Sequence, residues 1–128
     1  MLDDNAKALA QGKNYAAFTT LLPGGQPMTH VMWVDADDEH VLINTETGRQ
    51  KYKKVTKDPR VVVTIIDAAN PYRYAEVRGR VVETVAGAEA REHIEQLSQK
   101  YTGQPYGAPI QTERVILKIV PERQRFAG

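Results

Sequence analysis

Apolar residues recur along the chain with two periods, and the switches between them predict the elements. Strands are read over residues 15–22, 28–34, 40–45, 74–83 and 114–120, and in 74–83 apolar and polar positions alternate with the period of a strand. Over 114–120, Val115, Leu117 and Ile119 share a face. Residues 61–67 are instead almost continuously apolar and β-branched, which predicts a central strand buried on both faces. The helical period appears over 3–12, where Leu2, Ala6 and Leu9 or Ala10 fall on one side. It returns over 88–101, where Ala90, Ile94, Leu97 and Tyr101 form one stripe. The intervening segments carry turn residues. Pro23-Gly24-Gly25-Gln26-Pro27 makes the first two strands a hairpin, 35–39 is a polar turn, 68–71 is a break and 102–109 is a Gly/Pro-rich loop. Gly79, inside a strand pattern, is a candidate bulge. Six strands with two or three short helices predict a mainly β, α+β architecture: a six-stranded antiparallel barrel with short flanking helices. No linker, repeat or low-complexity tract divides residues 1–128, so a single domain is expected.

Residues 44–60 break this regularity with a charge signal. Thr47 and Gln50 fit a capping box that opens a short helix, and Asp58-Pro59 stops it. Arg49 and Lys51 then fall in the first turn, where the helix dipole is positive and prefers acidic residues. Cations placed there cost from a few tenths of a kcal/mol to about 1 kcal/mol. An arriving anion reverses that sign. Free amides, dipole and two cations together make a phosphate cradle, and Gly48 lets the backbone approach the anion closely.

Composition narrows the picture. Net charge is +1, so the chain as a whole is not a polyanion binder. Arg49, Lys51, Lys53, Lys54, Lys57 and Arg60 nevertheless stand against a single acid, Asp58, over 49–60. Lys54 and Lys57 read as a solvated helix face. Tyr52 is the only aromatic residue within this cluster, which argues against nucleic-acid binding. There is no cysteine, which excludes thiol catalysis and disulfides and fits a reducing compartment. No apolar run reaches the length of a membrane span and the first residues carry no leader pattern, so a soluble cytoplasmic protein without a membrane partner is expected. His30, His40 and His93 lack metal-ligand spacing. His40 and His93 read as surface residues and His30 as a structural one. No Ser-His-Asp order or carboxylate pair supplies a catalytic side chain, as expected where a cofactor does the chemistry.

Several segments carry a family resemblance. Ala17-Phe-Thr-Thr-Leu, Gly25-Gln-Pro and Val31-Met-Trp-Val resemble the opening hairpin of the split-barrel flavin-binding proteins related to pyridoxamine 5′-phosphate oxidase. Leu42-Ile-Asn-Thr, Lys51 and Lys57-Asp-Pro-Arg resemble its phosphate segment, and Tyr74-Ala-Glu-Val-Arg-Gly its next strand. The resemblance covers roughly residues 5–122. It implies a cofactor with a ribityl phosphate, either FMN or the deazaflavin coenzyme F420. The short C-terminus leaves little room for the substrate segment of pyridoxamine phosphate oxidases, and the chain looks more like the short actinobacterial F420-dependent members. By position, the resemblance gives the ring contact to Val31, Met32 and Trp33, and the ribityl phosphate to Asn44, Thr45, Thr47, Gly48, Arg49 and Lys51. Lys53 would meet the acidic tail of F420, and Tyr72 the cofactor of a partner subunit. The implied protein is a homodimer with cofactor at the subunit interface. It would transfer hydride from reduced F420 to a small unsaturated or conjugated acceptor. An FMN-dependent oxidase-like protein and a non-catalytic cofactor store are the alternatives.

Overall fold

A computed structural model describes all residues, 1–128. Asp3 caps the first helix, α1 (Asp4–Gln11), by accepting from the amides of Asn5 and Ala6. The helix buries Leu2, Ala6, Leu9 and Ala10, the side read from the sequence. Strands β1 (Tyr15–Leu21) and β2 (Pro27–Met32) form the expected hairpin, with Gly24 and Gly25 at φ +88° and +92° in the turn. A two-residue strand, β3 (Asp35–Ala36), lies within the segment read as a polar turn. Then come β4 (Val41–Glu46), α2 (Gln50–Lys57), β5 (Arg60–Ile66), β6 (Tyr74–Ala86), α3 (Ala88–Thr102) and β7 (Arg114–Ala127).

All seven strands join one antiparallel sheet in the order β2-β1-β5-β6-β7-β4-β3. The six-stranded barrel expectation is corrected: β3 adds a strand, and the end strands β2 and β3 do not pair, so the sheet stays open. Strand β5 is central but is not buried on both faces. Val61, Val63 and Ile65 are buried, whereas Val62, Thr64 and Ile66 are only half-buried, because no layer of this chain closes the second face. The main core lies on the first face, where α1 and Val55 of α2 pack against Phe18, Val63, Ile65 and Val77. A second, smaller cluster of Ile94, Leu97 and Tyr101 belongs to α3 and packs against Trp33 and Tyr106.

Two details depart from local sequence rules for identifiable reasons. Thr47 does not cap α2. The ladder between β4 and β7 continues past Glu46, with the Thr47 amide donating to the Glu113 carbonyl at 2.9 Å, so the helix cannot begin until Gln50. Arg49 becomes the N-cap, with no side-chain capping bond. Strand β7 continues well beyond Val120, through Pro121, which lacks an amide. The register shift between Arg78 and Gly79 leaves Glu122 as an extra residue and accommodates the gap. Gly79 is the bulge partner. A Cβ there would lie 2.0 Å from the Val120 carbonyl oxygen, a backbone atom that cannot swing away. Gly79→Ala is therefore expected to cost about 2–3 kcal/mol, read as a lower melting temperature. An unchanged melt would sink the close-packing argument. No helix is long and apolar enough to cross a membrane.

Candidate functional site

The stripe of α3, the end of β2 and the loop after α3 enclose a cavity of about 370 Å³ that is open to solvent on one side. Its walls are apolar: Met32, Trp33, Ile94, Leu97 and Tyr106. Trp33 stacks on Tyr101 with ring centroids 5.1 Å apart and planes 2° from parallel, and Tyr106 meets it edge-on at 6.4 Å. The Tyr101 hydroxyl is fixed in turn. It accepts from the Val34 amide at 3.2 Å and donates to the Asn14 carbonyl. Burial pushes its pKa up to about 12, so it stays neutral.

One end of the cavity is cationic. Arg49 and Arg114 line it, with Asn44 between the strands beneath. The only buried carboxylate there is Glu46, which takes Arg114 at 3.2 Å and lies 3.6 Å from Arg49. Lys51 has no carboxylate of its own. Burial lowers its ammonium below the ordinary lysine range, and Arg49 and Arg114 lower it further. Three cations thus gather near one acid, paired with two of them, at the N-terminal end of α2, where the dipole is also positive. This donor set suits a phosphate, and the flat aromatic and aliphatic walls suit a planar ring.

Glu46 also anchors the loop after α3. Its Oε1 accepts from the amides of Gln111 and Thr112, at 3.0 and 2.7 Å, and from the Thr112 hydroxyl at 3.1 Å. Burial pushes the Glu46 carboxyl up. The Thr112 bonds, the Gln111 amide and the Arg114 guanidinium more than offset this and leave it below the usual glutamate range. On the other side of Asn44 lies His93. Its Nδ1 is 3.0 Å from Asn44 Nδ2 and its Nε2 is 3.0 Å from Asp35 Oδ2.

The residues expected to form the site divide. The structure brings Met32, Trp33, Asn44 and Arg49 to one cavity, with Lys51 close enough to Arg49 and Arg114 to feel both charges. Thr45 points the other way. Strand alternation sends it into the main core side beside Ile43, where its hydroxyl is buried without a partner. Thr45→Val removes that hydroxyl at constant shape and is expected to raise stability by about 1 kcal/mol in chemical denaturation. A loss of stability would mean that the hydroxyl is bonded in solution. Gly48 serves the loop: its amide donates to Thr112 Oγ1 at 3.0 Å, and a Cβ would lie 2.8 Å from Thr112 Cγ2. Thr47 is half-buried and bonded through its amide to β7. Lys53 is exposed on α2. Val31 is 71% exposed on the open face of β2, and Tyr72 is 85% exposed in the turn before β6.

Sequence reasoning missed Arg114, Tyr106 and His93. The expectation of a surface His93 is corrected: it is 6% exposed. Its signal was its spacing, since 93 falls on the same stripe as Ala90, Ile94 and Leu97. Arg114 gave a fainter signal, as a lone cation at the head of an apolar strand.

The fold and cavity together define a class: a mainly β, open antiparallel sheet with an aromatic-walled cavity that carries two arginines. Comparison with known proteins makes this specific. The model of the pyridoxamine 5′-phosphate oxidase family matches residues 2–127, and the chain belongs to that family. It is 30% identical to a solved F420 reductase, with a TM-score of 0.83 over 97% of this chain and 98% of that one. A conserved hypothetical protein from Mycobacterium tuberculosis is 25% identical, with a TM-score of 0.77 over 99% of this chain and 84% of that one. General stress protein 26 from Bacillus anthracis shares the fold at 17% identity, with a TM-score of 0.71 over 97% and 92%. No curated protein matches the chain. Family and neighbours place it among oxidoreductases related to flavin and deazaflavin enzymes.

Proposed function

We propose that the protein uses the reduced deazaflavin coenzyme F420 to transfer hydride to a small unsaturated or conjugated organic substrate. The observation that carries this reading is the cation group at the end of the apolar cavity. Arg49 and Arg114 share Glu46 and Lys51 beside them has no acid, so an anion is missing from the charge balance. The F420 reductase at 30% identity supports the deazaflavin over other phosphorylated rings. Bound F420 would supply the hydride at C5 of its ring. The chain's part is to hold the phosphate with Arg49 and Lys51, press the ring against Met32 and Trp33, and keep water from the buried side of the ring. The open side of the cavity leaves room for an acceptor, which favours catalysis over storage.

The same reading includes a second copy of the chain. Cross-strand register sets Val31, Ala17 and Thr64 in one row of the open sheet face and Tyr15, Ile66 and Tyr74 in the next. Val31 and Tyr15 remain exposed, although Tyr101 of α3 packs beside Tyr15. An apolar sheet face of this kind suits a twofold partner, whose cavity Tyr72 would then approach. Sedimentation of the cofactor-bound protein as a monomer would remove the interface.

The FMN alternative rests on the family match. Trp33 is the single tryptophan and lines the cavity, so its fluorescence reports binding. Titration with F420 and FMN side by side is expected to show tighter binding of F420. Tighter FMN binding transfers the reading to a flavin enzyme, and no quenching by either overturns it. Binding of reduced F420 without turnover on enones, quinones or nitro compounds leaves a cofactor store.

A further inference from the structure

The relay between α3 and the cavity has a direction that the hydrogen-bonding chemistry fixes. The Arg114 Nε can only donate, so the Asn44 oxygen must face it, at 2.9 Å. The Ala90 carbonyl can only accept, so the Asn44 Nδ2 must face that, at 3.0 Å. The same Nδ2 lies 3.0 Å from His93 Nδ1. That nitrogen must therefore carry a lone pair. The imidazole proton sits on Nε2 and is donated to Asp35 Oδ2. Two groups that cannot reverse their roles thus select one tautomer of His93.

At the far end, Arg114 is 3% exposed and still lines the cavity. Nε is engaged by Asn44 and Nη1 by Glu46, and its guanidinium carbon lies 5.4 Å from the Tyr106 ring centre. No hydrogen bond engages Nη2. Nη2 is not sealed from solvent, so this donor is open to an acceptor that enters the cavity Arg114 lines.

We propose that Arg114 is a third cation of the anion site, joining Arg49 and Lys51 on the cofactor phosphate, and that His93 is a positioning residue that aims it through Asn44. The proposal rests on the phosphate-cofactor reading above and deepens it. Protonation of His93 would set an N–H against the Asn44 amide nitrogen. The amide would have to turn, bringing its NH₂ against Arg114 Nε and breaking one of the two bonds that hold the guanidinium. Cofactor affinity therefore falls as pH falls. The groups around His93 are Asp35 on β3, Asp37 beyond it, Glu89 and Glu92 on α3, and Lys118 on β7, with Lys100 near Asp35. The direction of the pH dependence follows from the relay alone.

Two variants test the two halves. Arg114→Lys keeps the charge beside Glu46 but loses the fork. It is expected to weaken FMN and F420 binding about tenfold or more. Riboflavin, which has the ring and ribityl chain of FMN but no phosphate, should be affected less than about twofold. Equal losses for FMN and riboflavin would mean that Arg114 only shapes the cavity, and would overturn its role. His93→Gln can still accept from Asn44 and donate to Asp35, and it is neutral at every pH. It should match the wild type near pH 8 and lack the wild type's loss of affinity across the interval, about pH 8 to 5, where histidines change charge. Parallel pH profiles would assign the slope to the ligand and remove the positioning role. A wild type that binds neither FMN nor F420 defeats the cofactor reading separately. Inorganic pyrophosphate then decides the anion site: its thermal stabilisation of the wild type should vanish in Arg114→Lys, and an equal shift overturns the proposal.

Discussion

Replacing Arg49 and Lys51 together by alanine is expected to reduce F420 affinity by about two to four orders of magnitude while the fold stands. Each charge-assisted hydrogen bond to an anion contributes about 1.5–3 kcal/mol. Two therefore contribute about 3–6 kcal/mol, and each 1.4 kcal/mol is tenfold in affinity. The fold should survive because neither cation is the main partner of a buried group. Arg49 is half exposed and only 3.6 Å from a carboxylate already bonded to Arg114, and Lys51 has no ion pair. Lys51 adds a test of sign. Desolvation and two neighbouring guanidinium groups disfavour its charged form in the folded chain. Its folded-state pKa is lowered, so the ligand-free protein is destabilised wherever lysine is charged, and is relieved as pH rises through that lowered value. Lys51→Gln alone should thus raise the melting temperature of the free protein while weakening F420. A structural lysine would lose both. Calorimetric titration with F420, beside thermal melts without ligand, reads both quantities. Unchanged affinity in the double variant would refute the cradle.

The strands and helices were legible because a single period along the chain determines which face is buried. Strand patterns located β1, β4 and the core half of β7, and the stripe through Ala90, Ile94, Leu97 and Tyr101 located α3. Gly79 was legible as the place of an irregularity because only glycine tolerates such close backbone approach, although the extra residue, Glu122, lies on the facing strand. What periodicity does not carry is which elements meet. Closure of the sheet depends on whether β2 and β3 pair, and nothing local encodes that. The ends of elements were lost to tertiary pairing. The ladder from Glu46 and Thr47 to β7 overrode the capping signal at Thr47, and the bulge at Glu122 carried β7 past Pro121. The candidate site was half legible. Arg49 and Lys51 stood out because they oppose the dipole of their own helix. Arg114 lies 68 residues from Glu46 and 70 from Asn44, and His93 lies 58 from Asp35. Their chemistry exists only once the sheet and α3 bring them together. The side chain of Thr45 turns away because adjacent residues of a strand face opposite sides, so it and Asn44 cannot line the same wall.

The second large effect is expected at Glu46. Glu46→Gln keeps the shape and one acceptor for Thr112 but leaves Arg114 buried without its counter-charge, beside Arg49 and Lys51. Removing one partner of a buried pair costs about 3 kcal/mol or more, which for a domain of this size lowers the melting temperature by roughly 10 °C. The pH dependence separates this from a packing defect. The folded-state pKa of Glu46 is lowered, so its stabilisation is fully present above the ordinary glutamate range and is lost as pH falls through the folded value. The wild type should therefore lose its advantage over Glu46→Gln progressively in acid, and the two melting curves should converge once both side chains are neutral. Packing loss would keep them apart at every pH. Ligand adds a further discriminant. A bound phosphate supplies the counter-charge that the variant lacks, so F420 or FMN should raise the melting temperature of Glu46→Gln by more than that of the wild type at equal ligand concentration. An equal or smaller rise would show that Glu46 acts by anchoring Gln111 and Thr112 of the loop, and that the cations do not gather on the ligand.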